Sequence, residues 1–139
     1  KVEDTATVSL VFKSGALCTL NISDTIVAPW SYELTAGENP AYPITNQSAY
    51  MIGGTKGSIQ FPNLKSWFYK KERSWWNKIL FNEDRSKSDN NTLVNQINHF
   101  ADVVAKKVSP KVNGNDGLIS LKIFAAITKS AKIGKKIRI

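Results

Sequence analysis

Hydrophobic and polar residues alternate between residues 5 and 23, and such period-two alternation is typical of β-strands. The apolar face of the first run consists of Ala6, Val8, Leu10 and Phe12. The second run places on its apolar face Ala16, Cys18, Leu20 and Ile22. Gly15 lies in the short turn between the runs, where a residue without a Cβ is favoured. The pattern therefore predicts an antiparallel hairpin whose other face is rich in threonine and serine and carries no charge.

Shorter apolar runs in the middle of the chain predict further strands. They cover residues 49–52, 58–61 and 64–69, with a glycine-rich turn at residues 53–57. Residues 70–89 are polar and charged, and we expect one short strand within them. Another short strand, Tyr32–Ala36, is predicted inside the long irregular connection of residues 24–47. The first two thirds of the chain are therefore predicted to be mainly β-structure.

In the last third of the chain, apolar residues recur with helical spacing. Steps of four, three and four residues place on one buried helix face Leu93, Ile97, Phe100 and Val104. Asn90 or Asn91 is predicted to cap this helix, because asparagine side chains accept hydrogen bonds from free backbone amides. Ser109 and Pro110 are predicted to end it, since proline cannot continue a helix.

A second helix is predicted to begin at Asn115 or Asp116 and to end at Gly134, followed by a terminal strand at residues 137–139. Its buried row is predicted to contain Leu118, Leu121, Phe124, Ala125 and Thr128. Strands followed by helices indicate an α+β fold, with an open, mostly antiparallel β-sheet and the two C-terminal helices packed on one face. We expect residues 1–139 to form a single domain.

The chain has 139 residues and a net charge of +8, and the charge is unevenly distributed. Residues 103–139 contain nine basic residues and one acidic residue. Basic surfaces bind nucleic acid or anionic membranes, but we favour a solvated helix face beside a more acidic domain. No apolar run reaches the ~20 residues of a membrane span. We therefore predict no membrane partner, and nucleic acid is the less favoured partner.

Residues that usually carry chemistry are scarce. The single cysteine, Cys18, cannot form an internal disulfide, so a reducing, cytoplasmic setting is predicted. The single histidine, His99, precedes Asp102 by three residues, and we predict a surface or interface hydrogen bond rather than a general base. The glycine-rich turn joins strand to strand and lacks the spacing of a phosphate-binding loop. The sequence therefore predicts no catalytic, cofactor-binding or metal-binding residue.

The best candidate for a binding site is the irregular connection of residues 24–47, which we call the aromatic loop, because long ordered loops are disproportionately functional. Its aromatic rings and polar groups can hold a hydroxylated ligand. The candidate substrate-binding residues are Trp30, Tyr32, Glu33, Glu38, Asn39 and Tyr42. The alternative interpretation is that Trp30 and Tyr42 simply fix the loop to the sheet. A second aromatic group, Trp67, Trp75 and Trp76 among lysines, is similar to a surface for single-stranded nucleic acid, although packing is the favoured interpretation.

Several motifs, in order, resemble the second domain of the Gfo/Idh/MocA oxidoreductases (glucose-fructose oxidoreductase and inositol dehydrogenase). They cover nearly the whole chain and lie at residues 12–16, 29–33, 37–40, 50–59, 96–100 and 116–118. The resemblance implies a fold like the C-terminal domains of dihydrodipicolinate reductase and glyceraldehyde-3-phosphate dehydrogenase. The chain opens without methionine and enters a strand almost at once, which we interpret as a fragment boundary.

The resemblance also implies a function. An N-terminal Rossmann domain, absent from this chain, would bind NAD or NADP, and the full protein would exchange hydride with a sugar, inositol or related polyol. The catalytic residues of the family would all precede Lys1, so none is carried over and the fragment alone is expected to be inactive. Family sheets commonly pack against a second subunit, which implies a homo-oligomer formed through the sheet face. The alternative is a non-enzymatic basic and aromatic module that binds nucleic acid or another anionic partner.

Overall fold

A computed structural model describes residues 3–83 and 91–139, and the α+β class predicted from the sequence is confirmed. The strands are β1 (Thr5–Val11), β2 (Leu17–Ser23), β3 (Tyr50–Gly53), β4 (Gly57–Phe61), β5 (Lys65–Phe68) and β6 (Leu80–Glu83). The helices are α1 (Tyr32–Ala36), α2 (Thr92–Val104) and α3 (Gly114–Ile133). All strand pairs are antiparallel, and they form a two-stranded sheet β1-β2 and a four-stranded sheet β3-β4-β5-β6.

The chain divides into two compact units. One unit contains residues Lys1–Ile26 and Gln96–Ile139, and the other contains Val27–Asn95. The first unit therefore includes the hairpin and α3, and the second includes α1 and the four-stranded sheet. Whether the two units act as the single domain expected from the sequence stays a prediction.

The hairpin of the first unit forms as predicted. Val8 pairs with Leu20, so the apolar faces of the two runs coincide, and Val8 is buried. Gly15 has a φ of 87°, a backbone conformation that costs glycine no steric energy. On the opposite face, the Thr5 and Ser23 hydroxyls are 2.9 Å apart across the strands. That face is neutral and polar, as the sequence predicts.

The four-stranded sheet of the second unit depends on close approach of its strands. A Cβ on Gly57 would lie 2.9 Å from the carbonyl oxygen of Trp67 on the neighbouring strand, so glycine is required there. On the other side of β5, Trp67 pairs with Phe81, and their ring centroids are 5.5 Å apart. The Lys65–Glu83 ion pair, at 3.8 Å, links the same two strands. Glycine and cross-strand side-chain pairs together fix the register of the sheet.

The strand predicted for Tyr32–Ala36 is wrong, because these residues form the short helix α1. The amide of Thr35 donates to the carbonyl oxygen of Ser31 at 3.1 Å, which closes the first turn. Gly37 follows in the left-handed conformation, with φ 66° and ψ 23°, and ends the helix after five residues. Alternation over so short a segment does not distinguish one helical turn from a strand.

The first C-terminal helix, α2, is capped by Asn91, which is one of the two caps predicted from the sequence. The Asn91 Oδ1 accepts hydrogen bonds from the amides of Leu93 and Val94 at 3.1 and 3.2 Å. The other alternative, Asn90, lies outside the described residues. The predicted end at Ser109 is wrong, because α2 ends at Val104 and Lys106 follows with a φ of 58°. The left-handed conformation of Lys106 ends the helix four residues before Pro110.

The second helix, α3, begins earlier than predicted, with Asn113 as its N-cap. The Asn113 side chain accepts from the amides of Asn115 and Asp116, and the Asp116 carboxylate accepts from the Asn113 amide at 2.8 Å. This reciprocal capping box satisfies amides at both ends of the first turn. Gly134 ends α3 in the left-handed conformation, as predicted, but the expected terminal strand is absent from residues 137–139.

The helix faces predicted to be buried are exposed. The large apolar side chains of the two predicted rows are between 49% and 69% exposed: Leu93, Ile97, Phe100, Val104, Leu118, Leu121 and Phe124. Apolar spacing predicts which side of a helix avoids water, whereas burial also requires a surface that packs against it. No such surface covers these side chains within the part of the chain that the structure describes.

Candidate functional site

The aromatic loop is organised around Tyr32, the first residue of α1. The Tyr32 ring is stacked on Phe61, with centroids 6.1 Å apart and planes 14° from parallel. It also contacts Tyr50 at a centroid distance of 5.9 Å. Tyr50 and Phe61 are directly paired across β3 and β4, so they present their rings on one face of the sheet. Tyr32 therefore fixes α1 to the four-stranded sheet.

The hydroxyl of Tyr32 donates a hydrogen bond of 2.9 Å to Oε1 of Glu38. Desolvation by burial raises the pKa of the Tyr32 phenol above its usual value of 10.0, and the hydrogen bond to Glu38 and the charge of its carboxylate raise it further. The phenol is therefore protonated at neutral pH and holds the carboxylate in one orientation. The second oxygen of Glu38, an exposed residue, is oriented by this bond and can accept from a ligand hydroxyl.

Gly37 determines where Glu38 lies, because its left-handed backbone turns the chain away from α1. A Cβ at Gly37 would lie 2.9 Å from Cδ1 and 3.2 Å from Cγ1 of Ile44, so the returning chain also passes close to the glycine. The amide of Thr45 donates to the carbonyl oxygen of Leu34 at 2.8 Å. The Thr45 hydroxyl donates to the carbonyl oxygen of Pro29. These contacts close the loop on itself and hold Tyr32 and Glu38 in place.

The other four candidate residues, Trp30, Glu33, Asn39 and Tyr42, take no part in the hydrogen bond between Tyr32 and Glu38. The side-chain oxygen of Asn39 accepts from the amide of Ala41 at 3.0 Å, so this residue forms a turn with its carbonyl oxygen and keeps its amide group for other partners. Glu33 is exposed in the first turn of α1, and its charge adds to the raised pKa of Tyr32. Trp30 and Tyr42 are about half exposed, at 51% and 46%. Within residues 3–83 and 91–139, no aromatic ring packs against either of them.

The structure thus brings together Tyr32 and Glu38 from the predicted set, with Trp30 and Tyr42 as exposed rings on the same loop. It adds Tyr50, Phe61 and Thr45, which the sequence analysis did not include in the site. Tyr50 and Phe61 are paired in neighbouring strands. Phe61 alternates with the polar Gln60 and Ser58, which was an available signal, whereas Tyr50 lies in an apolar run that does not distinguish its two faces. No sequence signal identifies Thr45, because its role depends on how the loop closes.

His99 takes part in a structural hydrogen bond. Its Nε2 accepts from the backbone amide of Lys111 at 3.1 Å, which ties α2 to the segment before α3. Asp102, the partner suggested by its spacing, instead accepts from the Lys107 ammonium at 3.2 Å. A hydrogen-bonding role was therefore predicted correctly, while the partner lies twelve residues further along the chain.

The glycine-rich turn at residues 53–57 does not have the form of a dinucleotide-binding site. The turn between Gly53 and Gly57 joins two antiparallel strands, whereas a dinucleotide pyrophosphate requires a glycine-rich turn that opens a helix. Gly54 donates to the carbonyl of Gly57 at 2.8 Å, so these glycines close a hairpin. In the described ranges, no three His, Cys, Asp or Glu side chains lie close enough to hold a metal ion. A helix long and apolar enough to cross a bilayer is likewise not found there.

Antiparallel sheets followed by two C-terminal helices define an α+β domain. A family model, described as the C-terminal alpha/beta domain of an oxidoreductase family, matches residues 1–139, the whole chain. The chain therefore belongs to the Gfo/Idh/MocA oxidoreductase family and represents its C-terminal domain. No curated protein and no solved structure matches it.

Proposed function

We propose that this chain forms the substrate side of an NAD(P)-dependent oxidoreductase that acts on a sugar, an inositol or a related polyol. The family assignment supports the reaction class, and the loop from Pro29 to Tyr42 supports the ligand class. The nicotinamide nucleotide, held by an N-terminal Rossmann domain, would accept or donate the hydride. The residues of this chain would bind and orient the substrate, and the isolated chain would be inactive.

The hydrogen bond from Tyr32 to Glu38 is the observation that carries this proposal. A polyol is neutral and offers several hydroxyl groups, so a site that recognises it needs oriented acceptors and a flat apolar surface. Glu38 supplies an acceptor whose orientation is fixed by a second residue, and Trp30 supplies an exposed ring. Because the loop is closed by Thr45 and Gly37, little conformational entropy is lost when a ligand binds.

Hydride transfer depends on how the substrate is oriented relative to the nicotinamide. The donor and acceptor carbons must be held at close range, and fixed positioning of a substrate contributes several kcal/mol to a rate, up to about 7–11 kcal/mol in favourable cases. A weakened contact in the loop is therefore expected to raise KM, or to lower kcat when the substrate still binds but is misaligned. Neither effect requires the loop to touch the reacting carbon.

The test uses the full-length protein with a panel of sugars and inositols, and the absorbance of the reduced nicotinamide as the readout. We expect turnover by the full-length protein and none by residues 1–139 alone. Trp30→Ala and Glu38→Ala are each expected to raise KM or lower kcat by about tenfold, which corresponds to about 1.4 kcal/mol. Lys56→Ala, an exposed change in the β3–β4 turn, serves as the control. Unchanged kinetics in both loop variants with an intact fold would contradict the proposal.

The second surface in this proposal is the neutral face of the β1–β2 hairpin, which we assign to a homo-oligomer. Its polar side chains already bond to one another: the Thr5 and Ser23 hydroxyls are 2.9 Å apart, and the Thr7 hydroxyl donates to Oδ1 of Asn21 at 3.2 Å, so few polar groups lose hydration on burial. Thr7→Lys would place a charge on this face and is expected to shift the full-length protein toward monomer in analytical ultracentrifugation. An unchanged oligomeric state would contradict this assignment.

A cytoplasmic location, compatible with the free Cys18, is part of the same proposal.

A further inference from the structure

The turn between β5 and β6 presents two tryptophans to solvent, although indoles usually avoid water. Trp75 is 98% exposed and Trp76 is 93% exposed. The turn itself is ordered by hydrogen bonds: the amide of Asn77 donates to the carbonyl of Ser74 at 3.2 Å, and its side-chain amide donates to the carbonyl of Glu72 at 2.9 Å. The two rings therefore project from an ordered backbone, and within the described residues their faces are open to a ligand.

The same turn and the start of β6 form a shallow, open depression of about 200 Å³, which is lined by Tyr69, Lys70, Lys71, Asn77, Lys78 and Leu80. Its lining contains three lysines and no acidic residue. In the described residues, ion pairs are found at Lys65 with Glu83 and at Lys107 with Asp102, and none involves the three lysines of the depression. The charges of these three exposed lysines are therefore available to an anionic ligand.

We propose that this turn binds a molecule of mononucleotide size, with its phosphate among Lys70, Lys71 and Lys78 and its base stacked on an indole of Trp75 or Trp76. Lysine ammonium groups are compact charges that suit phosphate. Asn77 uses one of its two amide hydrogens on Glu72, and the other can donate to a phosphate oxygen. The exposed indoles supply the flat π surfaces on which bases stack. This site is separate from the polyol site on the aromatic loop.

The small extent of the lysine cluster favours a single nucleotide over a nucleic acid. Proteins that bind single strands use a positively charged groove that follows the backbone over several nucleotides. Here the three lysines lie in one turn, and Lys65 on the adjoining strand is already paired with Glu83. Anionic membranes are recognised by clusters of about 4–8 basic residues on a flat or helical surface. The turn carries four basic residues, Lys70, Lys71, Arg73 and Lys78, but only the three lysines line the depression, so the depression matches one phosphate group better than an extended surface.

The experiment measures binding to the full-length protein by calorimetry, with uridine 5′-monophosphate and inorganic phosphate as separate probes. NAD⁺ is present throughout, so that a dinucleotide site is already occupied. We expect the nucleotide to bind more tightly than phosphate. Lys71→Ala is expected to weaken both probes by about tenfold, because it removes a charged hydrogen bond. The double variant Trp75→Ala/Trp76→Ala is expected to weaken the nucleotide by about tenfold and to leave phosphate unchanged, since stacking acts only on the base.

Lys56→Ala is the matched control, because it removes an exposed lysine from another turn of the same unit. Each variant's unfolding midpoint is compared with that of the parent, so that a folding defect is not mistaken for a lost contact. The proposal is overturned if neither probe binds, or if the tryptophan variant binds the nucleotide normally. It is also overturned if affinity for an oligonucleotide rises steeply with length, or if vesicles of phosphatidylserine bind more tightly than the nucleotide. All these readouts are independent of polyol turnover.

Discussion

Replacing Gly37 by alanine tests whether the aromatic loop is held in place by its helix cap. A left-handed backbone conformation costs an L-residue about 1–2 kcal/mol. The new Cβ would also lie 2.9 Å from Cδ1 of Ile44. Ile44 is 65% exposed and can move aside, so its displacement adds only about 1 kcal/mol, the cost of a strained rotamer. We therefore expect Gly37→Ala to cost about 2–3 kcal/mol locally.

Gly134→Ala is the matched control for this change. Gly134 ends α3 with φ 64° and ψ 26°, nearly the backbone of Gly37, but a Cβ added to it would meet nothing within 4 Å. It should cost the conformational energy alone, about 1–2 kcal/mol. The double variant Gly37→Ala/Ile44→Val removes the closest atom. It is expected to recover about 1 kcal/mol relative to the sum of the single changes.

Native-state hydrogen exchange measures the local stability of the aromatic loop and of the end of α3 in the same experiment. The Thr45 amide, which donates to Leu34, reports on the loop, and the Gly134 amide, which donates to Ser130, reports on the end of α3. Exchange at Thr45 is expected to accelerate about 30–140-fold in Gly37→Ala, because about 1.4 kcal/mol corresponds to a factor of ten. Residue 134 itself should exchange about tenfold faster in Gly134→Ala. Equal effects of the two substitutions, or no recovery in the double variant, would refute the role given to Ile44.

Two further predictions concern the protonation of Tyr32 and the cap of α3. Because folding raises the pKa of Tyr32 above its usual 10.0, the protonated phenol adds to stability below about pH 10, and this contribution falls as pH rises through the raised value. The unfolding free energies of the parent and Tyr32→Phe should therefore converge above about pH 10, and parallel pH profiles in urea denaturation would contradict this. Asn113→Ala should cost about 1 kcal/mol by losing the capping box, whereas Asn115→Ala, whose side chain accepts no capping bond, should cost much less. Equal losses in the urea midpoints of the two variants would show that Asn113 is not the cap.

The parts of the fold that could be predicted from the sequence are those set by local patterns. Regular alternation and Gly15 were sufficient to predict the hairpin, because both of its faces and its turn are defined within residues 5–23. Gly134 likewise ends α3 where a glycine after a helical run is expected. The start of α3 was predicted too late, because Asn113, Asn115 and Asp116 are all good caps. Only the reciprocal bonds identify Asn113.

The candidate site was harder to predict, because its contacts depend on the chain path. The residues Tyr32 and Glu38 could be selected as aromatic and polar groups, but their hydrogen bond depends on a helix of five residues and a left-handed glycine. The pattern had predicted a strand for the same residues. Burial of α2 and α3 could not be predicted either, since periodicity identifies an apolar face without identifying the surface that covers it.

The most direct test of the central claim is the effect of Glu38→Gln on the full-length enzyme, with Glu3→Gln, an exposed residue outside the aromatic loop and the β5–β6 turn, as a matched control. Glutamine keeps the size of the side chain but replaces the charged acceptor by a neutral amide. If Glu38 helps to hold a polyol, KM for the substrate should rise about tenfold, while the Kd for the nicotinamide nucleotide stays unchanged. The control should match the parent in both quantities. A normal KM in Glu38→Gln, or an equal loss of nucleotide affinity, would contradict the assignment of this loop to the substrate.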